Sequence, residues 1–312
     1  MKYSTELMTE SQEIIADIAN LYALYAKLAQ KTPFDMNAAR KGANDFFLAH
    51  SGEAEEVKNI ENFFIKNQYD GFQIPVRAYH VNDDDKVLMF VHGGGWTQGN
   101  LDTHDYLCRK IAKIFDINVV AVDYRLAPEH IFPTHLNDVA SVFDWCCEKY
   151  EKIYAAGDSG GGNLCTTLCV KNTEENKKKP DALILFYPAL GNDFKTKSYE
   201  LFENIATLSR IGVIQFFSNY SGEKYNPENF VNNKLLAPNL ETDMSVFPRT
   251  FIASAGCDVL LTEQYEFAEK MRAAGNDCQQ IVLEGSVHGF MTYGREFDKY
   301  VTEILQKISN WL

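Results

Sequence analysis

The chain is short of positive charge, of long apolar runs and of cysteine. Its 312 residues carry 30 Lys and Arg against 43 Asp and Glu, a formal net charge of −13. Nucleic-acid partners call for clustered Lys and Arg to neutralise phosphates. The densest basic run here, Lys177–Lys179, follows two glutamates and reads as a solvated loop, so no nucleic-acid partner is expected. No apolar run approaches the roughly 20 residues of a spanning helix; the longest, Ala182–Leu190, is interrupted by Pro188, so no stable membrane insertion is expected. The N-terminal stretch carries Glu6, Glu10, Glu13 and Asp17 rather than a basic-then-apolar leader, which makes the cytoplasm the expected location. Seven cysteines, odd in number and mostly inside apolar stretches, agree with a reducing compartment. Cys165 and Cys169 lie four apart on a predicted helix, yet no third ligand stands at metal-binding spacing, so buried thiols are expected and no metal.

Core material, by contrast, is plentiful. Apolar residues make up 46% of the chain and aromatics 13%, enough to fill a large packed interior. The first 50 residues read as helices, with Ile14, Ile18, Leu21, Tyr25 and Leu28 forming one apolar stripe. From about residue 57 the period changes. Phe63–Lys66 and Phe72–His80 read as a strand pair around Asp70-Gly71, followed by short β-branched runs at Val87–Val91, Val119–Val122, Ile153–Ala156, Ala182–Phe186, Phe251–Ala255 and Gln280–Leu283. Helical patterns lie between most of these, at Tyr106–Phe115, Leu136–Lys149, Gly161–Asn172 and Glu263–Ala274, and a last one covers Phe297–Trp311. This alternation predicts an α/β fold: a mostly parallel central sheet flanked by helices on both faces. Two segments break the alternation, the helical prelude and residues 191–245, where a helix over Thr207–Tyr220 is predicted. They are expected to form a joint helical cap. Residues 1–50 would be its N-terminal part, 191–245 an insertion, and 51–190 with 246–312 the core. The insertion's aromatics, Phe194, Phe202, Phe216, Phe217, Tyr220, Tyr225 and Phe230, are the candidates for shaping a pocket.

Gly157-Asp158-Ser159-Gly160-Gly161 fits G-x-S-x-G between a predicted strand and a predicted helix. A sharp strand-to-helix turn there exposes the Ser159 hydroxyl and sets it beside a helix N-terminus. The same letters flank the serine of chymotrypsin-like proteases, but that arrangement needs His and Asp upstream in a double β-barrel, which an alternation of strands and helices does not make. His92-Gly93-Gly94-Gly95-Trp96 comes directly after the strand Val87–Val91. Successive glycines let backbone N–H groups turn into a cavity, as an oxyanion hole requires; the Lys and Ser/Thr of a P-loop are missing. Asp258 comes after the strand Phe251–Ala255 and His288 after Gln280–Leu283, in the order serine, acid, histidine. Of seven histidines, only His288 lies beyond Ser159.

With these residues in place, His92–Trp96, the stretch Asp123–His130 with Phe132-Pro133, and Gly157–Leu164 resemble the three signature segments of the hormone-sensitive-lipase-like carboxylesterase branch of the α/β-hydrolases. The resemblance runs from about Gly71 to the C-terminus. Gly160 stands where the family usually has Ala, and Val259 where Pro is usual. It implies a serine carboxylesterase acting on a small-molecule ester, with catalytic Ser159, Asp258 and His288 and an oxyanion hole from the N–H groups of Gly93, Gly94 and Gly160. It also implies an acyl-enzyme intermediate, short-to-medium acyl chains, a rate that falls as His288 protonates, and no metal or organic cofactor. Supporting roles are implied for His92, which holds the glycine turn, for Tyr124, Arg125 and Glu129, which brace the adjoining loop, and for Asp158, which makes a structural hydrogen bond. An amidase or peptidase would use the same groups and stays open. A non-enzymatic receptor would lack the base, whereas every triad position is filled here. Neither the physiological ester nor the choice between monomer and homodimer is written in these motifs.

Overall fold

The computed structural model describes residues 1–30, 35–203, 207–224 and 232–312. Eight strands build one sheet: β1 (Asn59–Lys66), β2 (Gln73–His80), β3 (Lys86–Val91), β4 (Asn118–Val122), β5 (Lys152–Asp158), β6 (Ala182–Phe186), β7 (Arg249–Cys257) and β8 (Cys278–Val287). Their spatial order is β1-β2-β4-β3-β5-β6-β7-β8. Strands β1, β2 and β4 pair antiparallel, and every other pairing is parallel. The β1–β2 turn closes on itself because Asn67 Oδ1 accepts the N–H groups of Tyr69 and Asp70, and Gly71 supplies a positive φ of 80°.

Strands β4 and β6 are buried at every residue. Alternate side chains point to opposite faces, so both faces must be covered, which is why these strands read as unbroken apolar runs. The cover comes from α3 (Asp105–Phe115), α4 (Thr134–Lys149), α5 (Gly160–Glu174), α8 (Leu261–Ala273) and α9 (Gly294–Trp311), with α3 packed on α9 and α4 on α5. None of the helices among the described residues is long and apolar enough to cross a membrane.

Two segments depart from the regular alternation, as expected. Before the sheet come α1 (Thr9–Leu28) and α2 (Met36–His50), the latter capped by Asp35 Oδ1 on Ala38 N–H. Between β6 and β7 lie α6 (Lys197–Phe202) and α7 (Arg210–Ser221). Helix α7 begins later than the apolar pattern implied because Ser209 Oγ accepts the Gly212 N–H and acts as its cap, and it stops at Gly222, φ 78°. Strand β8 is longer than the run Gln280–Leu283 suggested. Its register against β7 shifts between Ala255/Leu283 and Cys257/Val287, with Gly285 at φ 74° inside the irregularity. An extra stretch of one strand bends it and re-aims the side chains beyond. The residue just past this bend is His288.

Candidate active site

Ser159 sits between β5 and α5 with φ 51° and ψ −119°, a backbone conformation that a side chain rarely tolerates. The turn is held by neighbours that leave no room for side chains. A Cβ on Gly161 would lie 2.0 Å from the Val91 carbonyl oxygen, and one on Gly157 would lie 2.6 Å from Gly161. Close approach of β3, β5 and α5 therefore demands both glycines, and the strained serine is the residue left facing out.

Around it the sheet ends deliver the other groups. His288 Nε2 lies 2.9 Å from Ser159 Oγ, and its Nδ1 lies 2.7 Å from Asp258 Oδ2. With Nδ1–H donating to the carboxylate, Nε2 is left to accept the serine proton. Asp258 is fully buried and its second oxygen accepts the Leu260 N–H at 3.0 Å, which fixes the carboxylate plane. The Tyr187 ring packs on the imidazole at 4.8 Å between centroids.

The glycine turn takes positive φ at Gly94 (110°), Gly95 (59°) and Trp96 (59°). His92 Nδ1 is 2.8 Å from Gly93 O, and the His92 ring stacks on Tyr124 at 4.3 Å, whose hydroxyl donates to His92 O at 2.9 Å. Burial, with His104 close by, pushes the His92 imidazole down to about 3, so it serves here as a neutral hydrogen-bonding ring. Asp158 Oδ1 accepts the Gly93 N–H at 2.7 Å. Burial raises its carboxyl, but His104, the Gly93 N–H and His92 outweigh that and hold it below the ordinary range.

This contact corrects one expectation. The N–H of Gly93 points at Asp158 and is engaged, so it is not free to act as an oxyanion donor. Gly94, Gly95 and Gly160 line the cavity instead, and their N–H groups meet no acceptor among the described residues. Nothing in the letters H-G-G-G said which two glycines would face inward; Asp158 decides it. Glu129 pairs with Arg40 of α2, which also donates to Thr97 O, just past the glycine turn, and to Ala127 O at 2.7 Å each. Arg125, in the same loop, pairs with Asp138 and Asp70.

Ser159, His288 and the turn open into a cavity of about 820 Å³. Both irregular segments wall it: Tyr22 and Tyr25 from α1, Phe46 and Phe47 from α2, Ile211 and Phe216 from α7. Of the aromatics expected to shape it, only Phe216 does so among the described residues. Phe194, Phe202, Phe217 and Tyr220 are buried in packing, and Tyr225 and Phe230 lie outside the described residues. Among the described residues the aromatic wall comes mainly from the prelude, whose stripe buries Ile14 and Leu28 and turns Ile18, Leu21 and Tyr25 toward the cavity. His104, which no motif flagged, lies 3.1 Å from Asp158.

A serine at the β5–α5 turn, an acid after β7 and a histidine after β8 of a largely parallel sheet define the class of α/β-hydrolases. Comparison with known proteins agrees. Residues 88–292 match the family described as the alpha/beta hydrolase fold. The carboxylic ester hydrolase LipN of Mycobacterium tuberculosis is 35% identical over 70% of this chain and 61% of its own length. The ethyl acetate hydrolase of Pseudomonas putida is 26% identical over 89% of this chain and 91% of its own. Among solved structures, one of two fungal esterases from Rhizomucor miehei superposes with a TM-score of 0.84 at 25% identity, covering 99% and 96% of the two chains. The chain belongs to the hormone-sensitive-lipase-like branch of the α/β-hydrolase family.

Proposed function

We propose that the protein is a serine carboxylesterase for neutral esters of short to medium acyl chain. The observation that carries this is the unbroken hydrogen-bonded series Asp258–His288–Ser159 at the floor of an apolar cavity, beside N–H groups with no acceptor among the described residues. Ser159 Oγ attacks the ester carbonyl carbon while its proton passes to His288 Nε2, and Asp258 stabilises the imidazolium. The carbonyl oxygen, now an anion, takes up the N–H groups of Gly94, Gly95 and Gly160, each such donor accounting for roughly 10²–10³ in rate. His288 then gives the proton to the departing alcohol, leaving an acyl-Ser159 ester. Water repeats the sequence with His288 again as base, releasing the acid and restoring the serine. His92, Tyr124 and Asp158 hold the glycine turn in shape, and α1, α2 and the 191–245 segment act together as the cap.

The test is a chain-length series of p-nitrophenyl esters with an anilide included. Hydrolysis is expected to favour acetyl to hexanoyl esters, and Ser159→Ala is expected to abolish it while the fold persists. Near wild-type turnover in Ser159→Ala would remove the nucleophile assignment. Preference for the anilide would make the enzyme an amidase.

A further inference from the structure

His104 precedes α3 and is buried, yet ester hydrolysis by the triad does not use it. Its Nε2 lies 3.1 Å from Asp158 Oδ1, the same oxygen that accepts the Gly93 N–H at 2.7 Å. Its Nδ1 is 2.8 Å from Thr103 Oγ1, which in turn is 2.9 Å from Asn100 O. The Thr103 hydroxyl gives its single proton to Asn100 O and so accepts from His104 Nδ1–H, which leaves the Nε2 edge of the ring to pair with the carboxylate as an ion pair. The ring is wedged between Phe90 and Phe47, at 5.9 and 6.2 Å between centroids.

Asp158 thus stands between two partners, the ion-paired His104 on one side and the donating N–H of the glycine turn on the other. A buried carboxylate held by the Gly93 N–H alone, without the paired ring, would be costly and free to rotate. Rotation matters because Gly93 is pressed against this group: a Cβ on Gly93 would lie 2.3 Å from Asp158 Oδ2. If Asp158 turns, the Gly93 peptide turns with it, and the N–H groups of Gly94 and Gly95 lose their common aim. Resting on the esterase reading, we propose that His104 is a positioning residue, which fixes the Asp158 carboxylate and through it the oxyanion-binding peptides. The molecule would then hold two His–Asp pairs: Asp258–His288 for the proton, Asp158–His104 for the geometry of the anion site.

The test compares His104→Phe, which keeps a ring between Phe90 and Phe47 without nitrogens, with His104→Gln, whose amide offers Asp158 a polar partner in its place. For His104→Phe the expectation is a fall of about tenfold in kcat, ~1.4 kcal/mol of barrier, with KM within about twofold of wild type. Affinity for an alkylboronic acid, which adds to the serine as a tetrahedral anion, is expected to fall by the same factor, because only that anion uses the aimed N–H groups. His104→Gln is expected to recover most of both. Wild-type kcat in His104→Phe, or equal loss in Phe and Gln variants, would overturn the assignment. Should His104→Phe not fold, Thr103→Val answers instead: loss of kcat and boronate affinity supports the role, and unchanged values overturn it. If the wild type hydrolyses no ester, the esterase reading fails. If hydrolysis is intact and indifferent to residue 104, only this inference fails.

Discussion

Arg40 is one of the residues through which the prelude grips the core, and removing it has a calculable consequence. Its guanidinium donates to Thr97 O and Ala127 O and pairs with both oxygens of Glu129, while only 19% of the side chain is exposed. Arg40→Ala leaves two backbone carbonyls without a charged donor. Stranding partly buried acceptors in this way costs roughly 1–3 kcal/mol each before relaxation and water recover some of it. Glu129 is 49% exposed and rehydrates, so it adds little. The expected loss is about 2–3 kcal/mol, or a melting temperature lower by roughly 4–10 °C. Because α2 supplies Met36, Ala39, Phe46 and Phe47 to the cavity wall, loosening it is expected to raise KM for p-nitrophenyl butyrate several-fold more than it lowers kcat. Arg40→Lys is expected to recover less than half, since a single ammonium cannot span three acceptors arranged for a planar fork. Thermal melts and steady-state kinetics read both quantities. Unchanged melting and KM, or a loss confined to kcat, would refute this account of how the prelude is anchored.

Two further outcomes are expected. Gly285→Ala places a side chain at φ 74°, with its Cβ 2.9 Å from Met8 N and 3.0 Å from Glu6 O, so it should cost about 1–3 kcal/mol; denaturant unfolding at wild-type stability would count against the tight packing of residues 6–8 on the loop before His288. Glu263 is buried, accepts the Leu190 N–H, and is pushed up by burial to about 8. An acid raised on folding favours the folded state below its unfolded value near 4.5, and that contribution is lost as pH climbs through about 8. The decline in melting temperature between pH 5 and pH 9 should therefore be shallower in Glu263→Gln, whatever that variant's absolute stability. Parallel slopes would show that Glu263 is ionised throughout.

Much of this molecule was legible along the chain because local physics writes itself into local pattern. The switch from helical stripe to short β-branched runs announced the sheet, and continuous apolarity at Val119–Val122 and Ala182–Phe186 announced burial on both faces. G-x-S-x-G located the strained turn, since no other residue type fits between β3, β5 and α5. Element ends were less legible. The start of α7 depends on a Ser209 cap and the end of β8 on a bulge, neither of which apolar periodicity registers.

By itself, then, the sequence determined the fold class, the order along the chain of the chemistry-bearing turns, and Ser159, Asp258 and His288 as residues placed just past the ends of successive strands. Tertiary structure alone decided the finer matters. Asp158 reaches across from the neighbouring strand end to engage the Gly93 N–H, and so selects which glycines face the cavity. Arg40, far away in the chain, claims Glu129. Among the described residues, the aromatic wall is supplied by Tyr22, Tyr25, Phe46 and Phe47 more than by the insertion. His104, unremarkable in its own segment, meets Asp158 only because α3 begins beside the end of β5. The physical reason is common to all four. A periodic pattern reports how a residue sits in its own element, whereas the partner of a buried polar group is chosen by whichever donor or acceptor the fold brings within about 3 Å.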